Sequence, residues 1–220
     1  MSRKTGRPSR PVARVVTRGL DRWQLLRLFS GLVVAMVIGI GVGLEIAGPS
    51  SSEASVASIR QAEAQRDVAQ IGELTTMARN TKQLLTAVVS GLAATQPATD
   101  AQLAGWQQIV RQETQRYAVT VSGATATNVA RGAFRGAVDM LSVAVDAYAL
   151  ARTMAPGQQQ ALLDVAARQR TLAVTTWSVA ATQLDQLNVD AGNGHQHVYL
   201  TDRPDGGAMT SDGTPEGTKP

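Results

Sequence analysis

Two histidines, His195 and His197, are the only imidazole side chains in the sequence, and a single residue separates them. In an extended backbone, residues two apart point to the same side and lie about 7 Å apart, at roughly 3.3 to 3.4 Å per residue. Imidazole nitrogens are good ligands for zinc and copper. With Asp185 or Asp190, the two rings would form a three-ligand site with one open position. His195 and His197 are therefore the candidate metal ligands of this sequence.

The same segment, residues 194–200, has a second interpretation, in which it is a strap that only packs over one end of the domain. Val198, Tyr199 and Leu200 offer an apolar patch for such docking. A lone His-x-His pattern also lacks a third ligand at a diagnostic spacing. The packing strap is therefore the preferred interpretation of these residues, and the metal site is the alternative.

Polar residues in the preceding predicted helix form a second candidate site. They are Thr175, Thr176, Ser178, Thr182 and Gln183. Buried hydroxyls and amides need hydrogen-bond partners. They could line a small-ligand cleft between helices, as helical bundles often provide. The alternative is that each bonds to a backbone carbonyl one turn back in its own helix.

Other residue types give no support for catalysis. The sequence has no cysteine, which excludes disulfides and thiolate metal sites. It contains no Gly-x-Ser-x-Gly motif, and the glycine-rich run at residues 39–43 lies inside an apolar stretch rather than in a nucleotide-binding loop. We therefore predict a protein that is not an enzyme and that needs no cofactor.

The charge distribution argues against a nucleic-acid partner, although the net charge is +4. Residues 1–27 carry eight of the 21 basic residues and one of the 17 acidic residues, which gives this segment +7. The other 13 basic and 16 acidic residues leave the rest of the chain at −3. A mildly acidic main domain does not fit binding to phosphate backbones, which depends on clustered Lys and Arg.

An uncharged apolar run at residues 28–44 predicts a transmembrane helix, which we place at residues 25–47. A helix of 20 residues spans about 30 Å, the thickness of the hydrocarbon core. The basic flank at residues 1–24 predicts a cytoplasmic N-terminus and an extracytoplasmic C-terminal domain in a single-pass protein of the cell membrane. Cleavage as a signal peptide near Ser52-Glu53-Ala54 is the alternative, which the length of the run disfavours.

Small residues recur at every fourth position of the predicted span: Gly31, Ala35, Gly39 and Gly43. This spacing lets two membrane helices approach closely, although glycine is common in membrane helices anyway. The partners predicted from the sequence are therefore the lipid bilayer, a second copy of the chain through this face, and an unidentified protein.

Four amphipathic segments follow the span. The first predicted helix covers residues 50–92 and has an apolar stripe with 3-4 spacing at Ile71, Leu74, Ala78, Thr81, Leu85, Val88 and Leu92. The second begins after Pro97 with a Thr99–Gln102 capping box, and its predicted buried face is Leu103, Trp106, Val110 and Tyr117.

The third predicted helix has Thr127 or Asn128 as its N-cap and buries Phe134, Val138, Leu141, Val145 and Tyr148. The fourth covers about residues 158–189 and buries Leu162, Val165, Leu172, Trp177, Ala180, Leu184 and Leu187. Short loops between long helices predict an all-α, antiparallel four-helix up-down bundle at residues 50–200. Residues 201–220, rich in Gly, Pro, Thr and Asp, are predicted to be a disordered tail.

The layout of an N-terminal span followed by four helices resembles the extracytoplasmic four-helix sensor domains of bacterial chemoreceptors and sensor kinases. Those proteins also have a second span and a cytoplasmic transmitter, which this sequence lacks. Residues 176–190 and 194–200 look like segments of uncharacterised single-pass, membrane-anchored helical proteins of actinobacteria. Neither resemblance implies a functional residue.

These observations predict a membrane-tethered, extracytoplasmic helical bundle that is a non-enzymatic protein-interaction or envelope-associated module. The alternative is an extracytoplasmic sensor module that binds a small ligand or a metal through the polar face of the fourth helix or through His195 and His197. Ligand-dependent stabilisation would separate the two, because a ligand that binds only the folded state stabilises that state.

Overall fold

A computed structural model describes residues 50–119, 123–201 and 207–219 of the chain. Within these ranges it contains four α-helices and no strand: α1 (Ser51–Leu92), α2 (Asp100–Ala118), α3 (Thr125–Ala151) and α4 (Pro156–Asp190). The predicted all-α helical bundle is therefore confirmed. One compact unit comprises Ser58–Pro220, and Met1–Ala57 forms another, of which only residues 50–57 are described.

The predicted basic tail at residues 1–24 and the predicted span at residues 25–47 lie outside the described residues, and so does the small-residue face that includes Gly39 and Gly43. Among the helices of the described ranges, none is both long enough and apolar enough to cross a membrane.

Side-chain caps mark the first residues of α1 and α2. Ser50 N donates to Glu53 Oε2 at 2.8 Å, and Glu53 N donates back to Ser50 Oγ at 3.3 Å. The hydrogen bond from the Ser50 backbone is the main cause that lowers the pKa of the Glu53 carboxyl. The predicted box at α2 is confirmed: Thr99 N donates to Gln102 Oε1, and Gln102 N donates to Thr99 Oγ1. Both boxes satisfy backbone N–H groups that a helix leaves unpaired at its start.

Hydrogen bonds at both ends of the α1–α4 pair show that these helices run in opposite directions. Near the C-terminal end of α1, the Val89 carbonyl accepts a bond from Arg170 Nε at 3.0 Å. Towards its N-terminal half, Thr75 Oγ1 accepts one from Asn188 Nδ2 at 2.9 Å. A later residue of α1 thus pairs with an earlier residue of α4, as in an antiparallel bundle.

Helices α2 and α3 are antiparallel by the same criterion. Just before α2, the Ala98 backbone N–H donates to the Tyr148 hydroxyl near the end of α3, at 2.9 Å. At the other end, the rings of Tyr117 and Phe134 have centroids 6.1 Å apart. These contacts fit the predicted up-down order of the helices.

Most of the core is built from the predicted stripes, although Leu162 and Val165 of α4 are only partly buried and lie outside the core cluster. The α1 stripe is buried from Ile71 to Val88, and the four aliphatic and aromatic positions of α3 from Phe134 to Val145 are fully buried. The prediction that Leu172 faces inward is wrong, because its side chain is 49% exposed and Ala173 and Val174 occupy the core-facing side of α4 there.

The start of α3 also differs from the prediction, which placed the N-cap at Thr127 or Asn128. The helix begins at Thr125, with Ala124 as an N-cap that makes no side-chain hydrogen bond. Thr127 is fully buried, and Asn128 Nδ2 donates to the Gly123 carbonyl at 2.9 Å. Polar residues at a helix start therefore serve packing and loop closure here rather than capping.

The prediction of a disordered tail is wrong for residues 207–219. Ala208 is 4% exposed and belongs to the hydrophobic core. Met209 N donates to Ser178 Oγ at 2.8 Å, and Gly217 N donates to the His195 carbonyl at 2.9 Å. The segment contacts the bundle through backbone hydrogen bonds and one small buried side chain. A prediction from the count of apolar residues does not include such contacts.

Candidate metal centre

Asp185 and the two histidines reach one place from two elements. Asp185 lies in the last turns of α4, and the histidines follow the helix after a turn in which Gly192 and Gly194 have φ values of 75° and 77°. At Gly194 a Cβ atom would also lie 2.6 Å from the Gly217 carbonyl oxygen. Glycine is therefore required there both by the left-handed backbone and by the close approach of the C-terminal segment.

The three side chains converge on one carboxylate oxygen. His195 Nδ1 lies 3.0 Å from Asp185 Oδ2, which is hydrogen-bond distance. His197 Nε2 lies 3.9 Å from the same oxygen. The candidate ligand atoms of the three residues all lie within 4.8 Å of one another. Two imidazole nitrogens and one carboxylate oxygen at such separations form a set that zinc or copper accepts.

The three side chains of this cluster are mostly buried. The side chains of Asp185, His195 and His197 are only 13%, 20% and 18% exposed. Within the described part of the chain, the buried Nε2 of His197 has no hydrogen-bond partner. An unpaired buried polar atom costs about 1–3 kcal/mol in folding free energy. A metal ion would bind the lone pair that Nε2 carries when the imidazole is neutral and protonated at Nδ1.

Neighbouring groups hold the cluster in shape. The backbone N–H of Gln196 donates to Asp185 Oδ1, so that the second carboxylate oxygen is fixed. Arg79 on α1 bonds to both the Gln196 side chain and Glu216. Such partners orient metal ligands when they bond to the carboxylate or to the ligand-bearing backbone.

The predicted strap is confirmed as a packing element. Val198 and Tyr199 are 0% and 5% exposed, and Trp177 Nε1 donates to the Val198 carbonyl at 2.7 Å. The Tyr199 hydroxyl lies 3.1 Å from the Thr182 hydroxyl, and burial raises the pKa of Tyr199. Packing does not exclude metal binding, because the apolar residues fix the backbone that carries His195 and His197.

Of the two acids that the sequence offered as a third ligand, the structure brings only Asp185 to the histidines. Asp190, the last residue of α4, accepts a hydrogen bond from Gln186 Nε2 at 2.8 Å. Asp190 is thus closer to the histidines in sequence, but Asp185 is the carboxylate that contacts them.

Two of the five residues of the predicted small-ligand cleft, Ser178 and Thr182, donate hydrogen bonds within their own helix. Ser178 Oγ donates to the Thr175 carbonyl at 2.7 Å, and Thr182 Oγ1 donates to the Ser178 carbonyl at 3.0 Å. Both bonds lie within α4, as the alternative interpretation of these residues expects. A cavity of about 350 Å³ lies instead beside Val89, Arg170 and Leu200 and has none of the five predicted residues in its lining.

A buried carboxyl group at Glu113 was missed from the sequence. Its side chain is fully buried, and Oε2 lies 2.6 Å from the hydroxyl of Thr81 on α1. Position 113 continues the α2 stripe of Trp106, Val110 and Tyr117 with 4-3-4 spacing, and Thr81 interrupts the α1 stripe. Two polar residues at core-facing positions of neighbouring helices were the signal that could have revealed this pair.

In comparisons with known proteins, no family model, no curated protein and no solved structure matches the chain.

Proposed function

We propose that this chain is a non-enzymatic, membrane-tethered helical bundle that binds a divalent transition metal, zinc or copper, through Asp185, His195 and His197. The observation that carries the proposal is the buried Nε2 of His197, which lies without a hydrogen-bond partner among the described residues, 3.9 Å from the carboxylate oxygen that contacts His195. This is the metal-binding form of the sensor-module alternative that the sequence predicts.

The donor set favours zinc or copper over the harder cations. Imidazole suits zinc and copper, whereas magnesium and calcium prefer oxygen ligands. Three protein ligands leave one position of a tetrahedral zinc site for a further group. Arg79 donates to the Gln196 side chain and so holds the strap that carries the two histidines. A protein-interaction role stays a prediction, with no specific contact in the described residues to support it.

The test is zinc binding by the full chain in detergent micelles, purified without a polyhistidine tag and stripped of metal by a chelator. Isothermal titration calorimetry should show one zinc ion per chain. Loss of an outer partner of a metal ligand costs about 10–100-fold in affinity, so we expect His197→Ala and Asp185→Asn each to weaken binding by about 100-fold or more. Lower pH should weaken binding as well, because protons compete for the ligand atoms.

Asp190→Asn is the matched control, since it removes one negative charge from the same helix end and lies outside the cluster. It should bind zinc as the unaltered chain does. Failure of the unaltered chain to bind zinc or copper, or equal affinity in all four proteins, would refute the proposed site.

We infer that residues 25–47 anchor the bundle in the cell membrane, with residues 1–24 in the cytoplasm. The uncharged apolar run and its basic flank support this. The chain should stay with membranes after alkaline carbonate extraction, and protease added to spheroplasts should digest the bundle. Release by carbonate, or protection of the bundle until the cells are lysed, would contradict the inference.

A further inference from the structure

The cavity of about 350 Å³ beside Arg170 has a lining that includes none of the three candidate metal ligands. Val89 and Ser90 of α1, Arg170 and Val174 of α4 and Leu200 at the end of the strap all contribute to it. Ser90 is exposed, so part of the lining is reachable from solvent. Small-molecule sites have volumes of about 300–1,000 Å³. The cavity is therefore large enough for a small organic molecule.

Arg170 is the one charged residue among the described residues that line this cavity. Its Nε donates at 3.0 Å to the Val89 carbonyl, which is one of the last four carbonyls of α1 and has no partner within that helix. This bond fixes the side chain and uses one of the five N–H donors of the guanidinium group. The other four donors are carried by the two terminal nitrogens.

The positive charge of Arg170 has no carboxylate to balance it in the described part of the chain. Other arginines there form ion pairs, such as Arg116 with Glu113 and Arg152 with Asp100, whereas no described acid pairs with Arg170. Its side chain is half-buried. A charge that is partly removed from water without an opposite charge beside it keeps the cost of that desolvation. An anion in the cavity would offset this cost.

The lining also indicates which anion fits. A guanidinium group binds a carboxylate through two parallel N–H···O bonds, a geometry that a single ammonium group does not offer. Val89 and Val174 are 7% and 5% exposed, and the half-buried Leu200 adds a third aliphatic side chain. One positive charge beside three aliphatic side chains matches a ligand with one negative charge and an apolar body.

We propose that this cavity binds a small monocarboxylate. Arg170 holds the carboxylate group, and Val89, Val174 and Leu200 contact the apolar body of the ligand. This site is separate from the proposed metal centre, and neither depends on the other. It adds a small-molecule site to the bundle, formed by α1, α4 and the strap.

The test is a titration of the isotope-labelled full chain in detergent micelles with isovalerate, followed by nuclear magnetic resonance. The protein is first stripped of metal and dialysed, so that no carboxylate can bind to a metal ion. For so small a ligand a dissociation constant of about 1 mM is expected, and the titration extends to about 50 mM. The Nε–H signal of Arg170 and the amide signals of Ser90 and Thr171 should shift and saturate.

Two related compounds separate the charge of the ligand from its apolar body. Isovaleramide has the same shape without the negative charge, and acetate has the charge without most of the apolar body. Each should bind at least about 10-fold more weakly than isovalerate, because the first loses charge-assisted hydrogen bonds and the second loses buried CH₂ and CH₃ groups.

Arg170→Gln should weaken isovalerate binding by about 10–100-fold, since it removes the charged donors while its amide can still donate to the Val89 carbonyl. Arg168→Gln is the matched control, because Arg168 is exposed on the same helix and does not line this cavity. It should bind as the unaltered chain does. Ala93→Leu fills the cavity from an exposed lining position without altering Arg170, and it should also weaken binding.

No saturable shift with isovalerate would overturn the inference. So would equal affinity for isovaleramide or acetate, equal effects of Arg170→Gln and Arg168→Gln, or unchanged binding by Ala93→Leu. Shifts confined to His195 and His197 would also contradict it, because the acid would then bind elsewhere. Since the protein carries no metal in this experiment, each of these results leaves the zinc site to its own test.

Discussion

Replacement of Trp177 by alanine is expected to lower the free energy of unfolding by about 3–5 kcal/mol, the usual cost of removing a large buried aromatic side chain. Trp177 is fully buried on α4, and its ring lies edge-on to Phe134 of α3 with centroids 4.6 Å apart. Its indole N–H also donates to the Val198 carbonyl. The substitution would therefore open a cavity in the core and release the strap that carries His197. Urea unfolding followed by circular dichroism measures the loss.

Trp177→Phe separates the two contributions. It keeps most of the ring packing against Phe134 but leaves the buried Val198 carbonyl without its donor, which costs about 1–3 kcal/mol. Its destabilisation should thus lie below that of Trp177→Ala. A loss under about 1 kcal/mol for the alanine variant would show that this part of the core does not pack as described.

Thr81→Val is expected to destabilise the bundle by about 1–3 kcal/mol, although valine has nearly the shape of threonine. The reason is the fully buried Glu113 carboxyl, whose Oε2 lies 2.6 Å from the Thr81 hydroxyl. A buried polar group that loses its partner retains the full cost of desolvation. Arg116 approaches the other carboxyl oxygen only to 3.4 Å, and its side chain is 43% exposed. It offers little compensation.

Thr76→Val is the matched control, because this exposed hydroxyl bonds only back to the Gly72 carbonyl of its own helix. It should change the free energy of unfolding by less than about 0.5 kcal/mol. The double variant Thr81→Val/Glu113→Leu should recover much of the loss, since replacing both partners by apolar groups can be nearly neutral. Equal effects of the two valine substitutions would argue against a functioning Thr81–Glu113 pair.

The helices were predictable because apolar periodicity, capping residues and prolines act locally. The 3-4 spacing from Ile71 to Val88 places those side chains on one face of any α-helix, whatever packs against it. The Thr99–Gln102 box depends only on residues three apart. Pro97 and Pro156 bound helices for the equally local reason that proline lacks an N–H.

Features set by neighbours in space were not predictable. Leu172 is apolar yet exposed, whereas its neighbours Ala173 and Val174 lie in the core. Ala208 is a single small residue in a polar segment, and its burial in the core depends on packing between distant parts of the chain that no local pattern reveals. The burial of Glu113 is not predictable from α2 alone, because a buried carboxyl needs a hydrogen-bond partner and its partner, Thr81, lies on α1.

The candidate metal site was half predictable. The His-x-His spacing is local, so His195 and His197 could be singled out from the sequence. The choice between Asp185 and Asp190 depends on how the turn with Gly192 and Gly194 folds the chain back along α4, and no local pattern gives this. The hydrogen bonds between the backbone of His195 and the C-terminal segment join residues far apart in sequence, so no local pattern predicts them.

The most direct test of the metal site is anomalous diffraction at the zinc absorption edge from crystals of the full chain grown with zinc. The account predicts one strong anomalous peak about 2.0–2.2 Å from a nitrogen of His195, a nitrogen of His197 and an oxygen of Asp185. A structure in which zinc is absent from this cluster, with His197 Nε2 bonded to water or to a protein group, would contradict it.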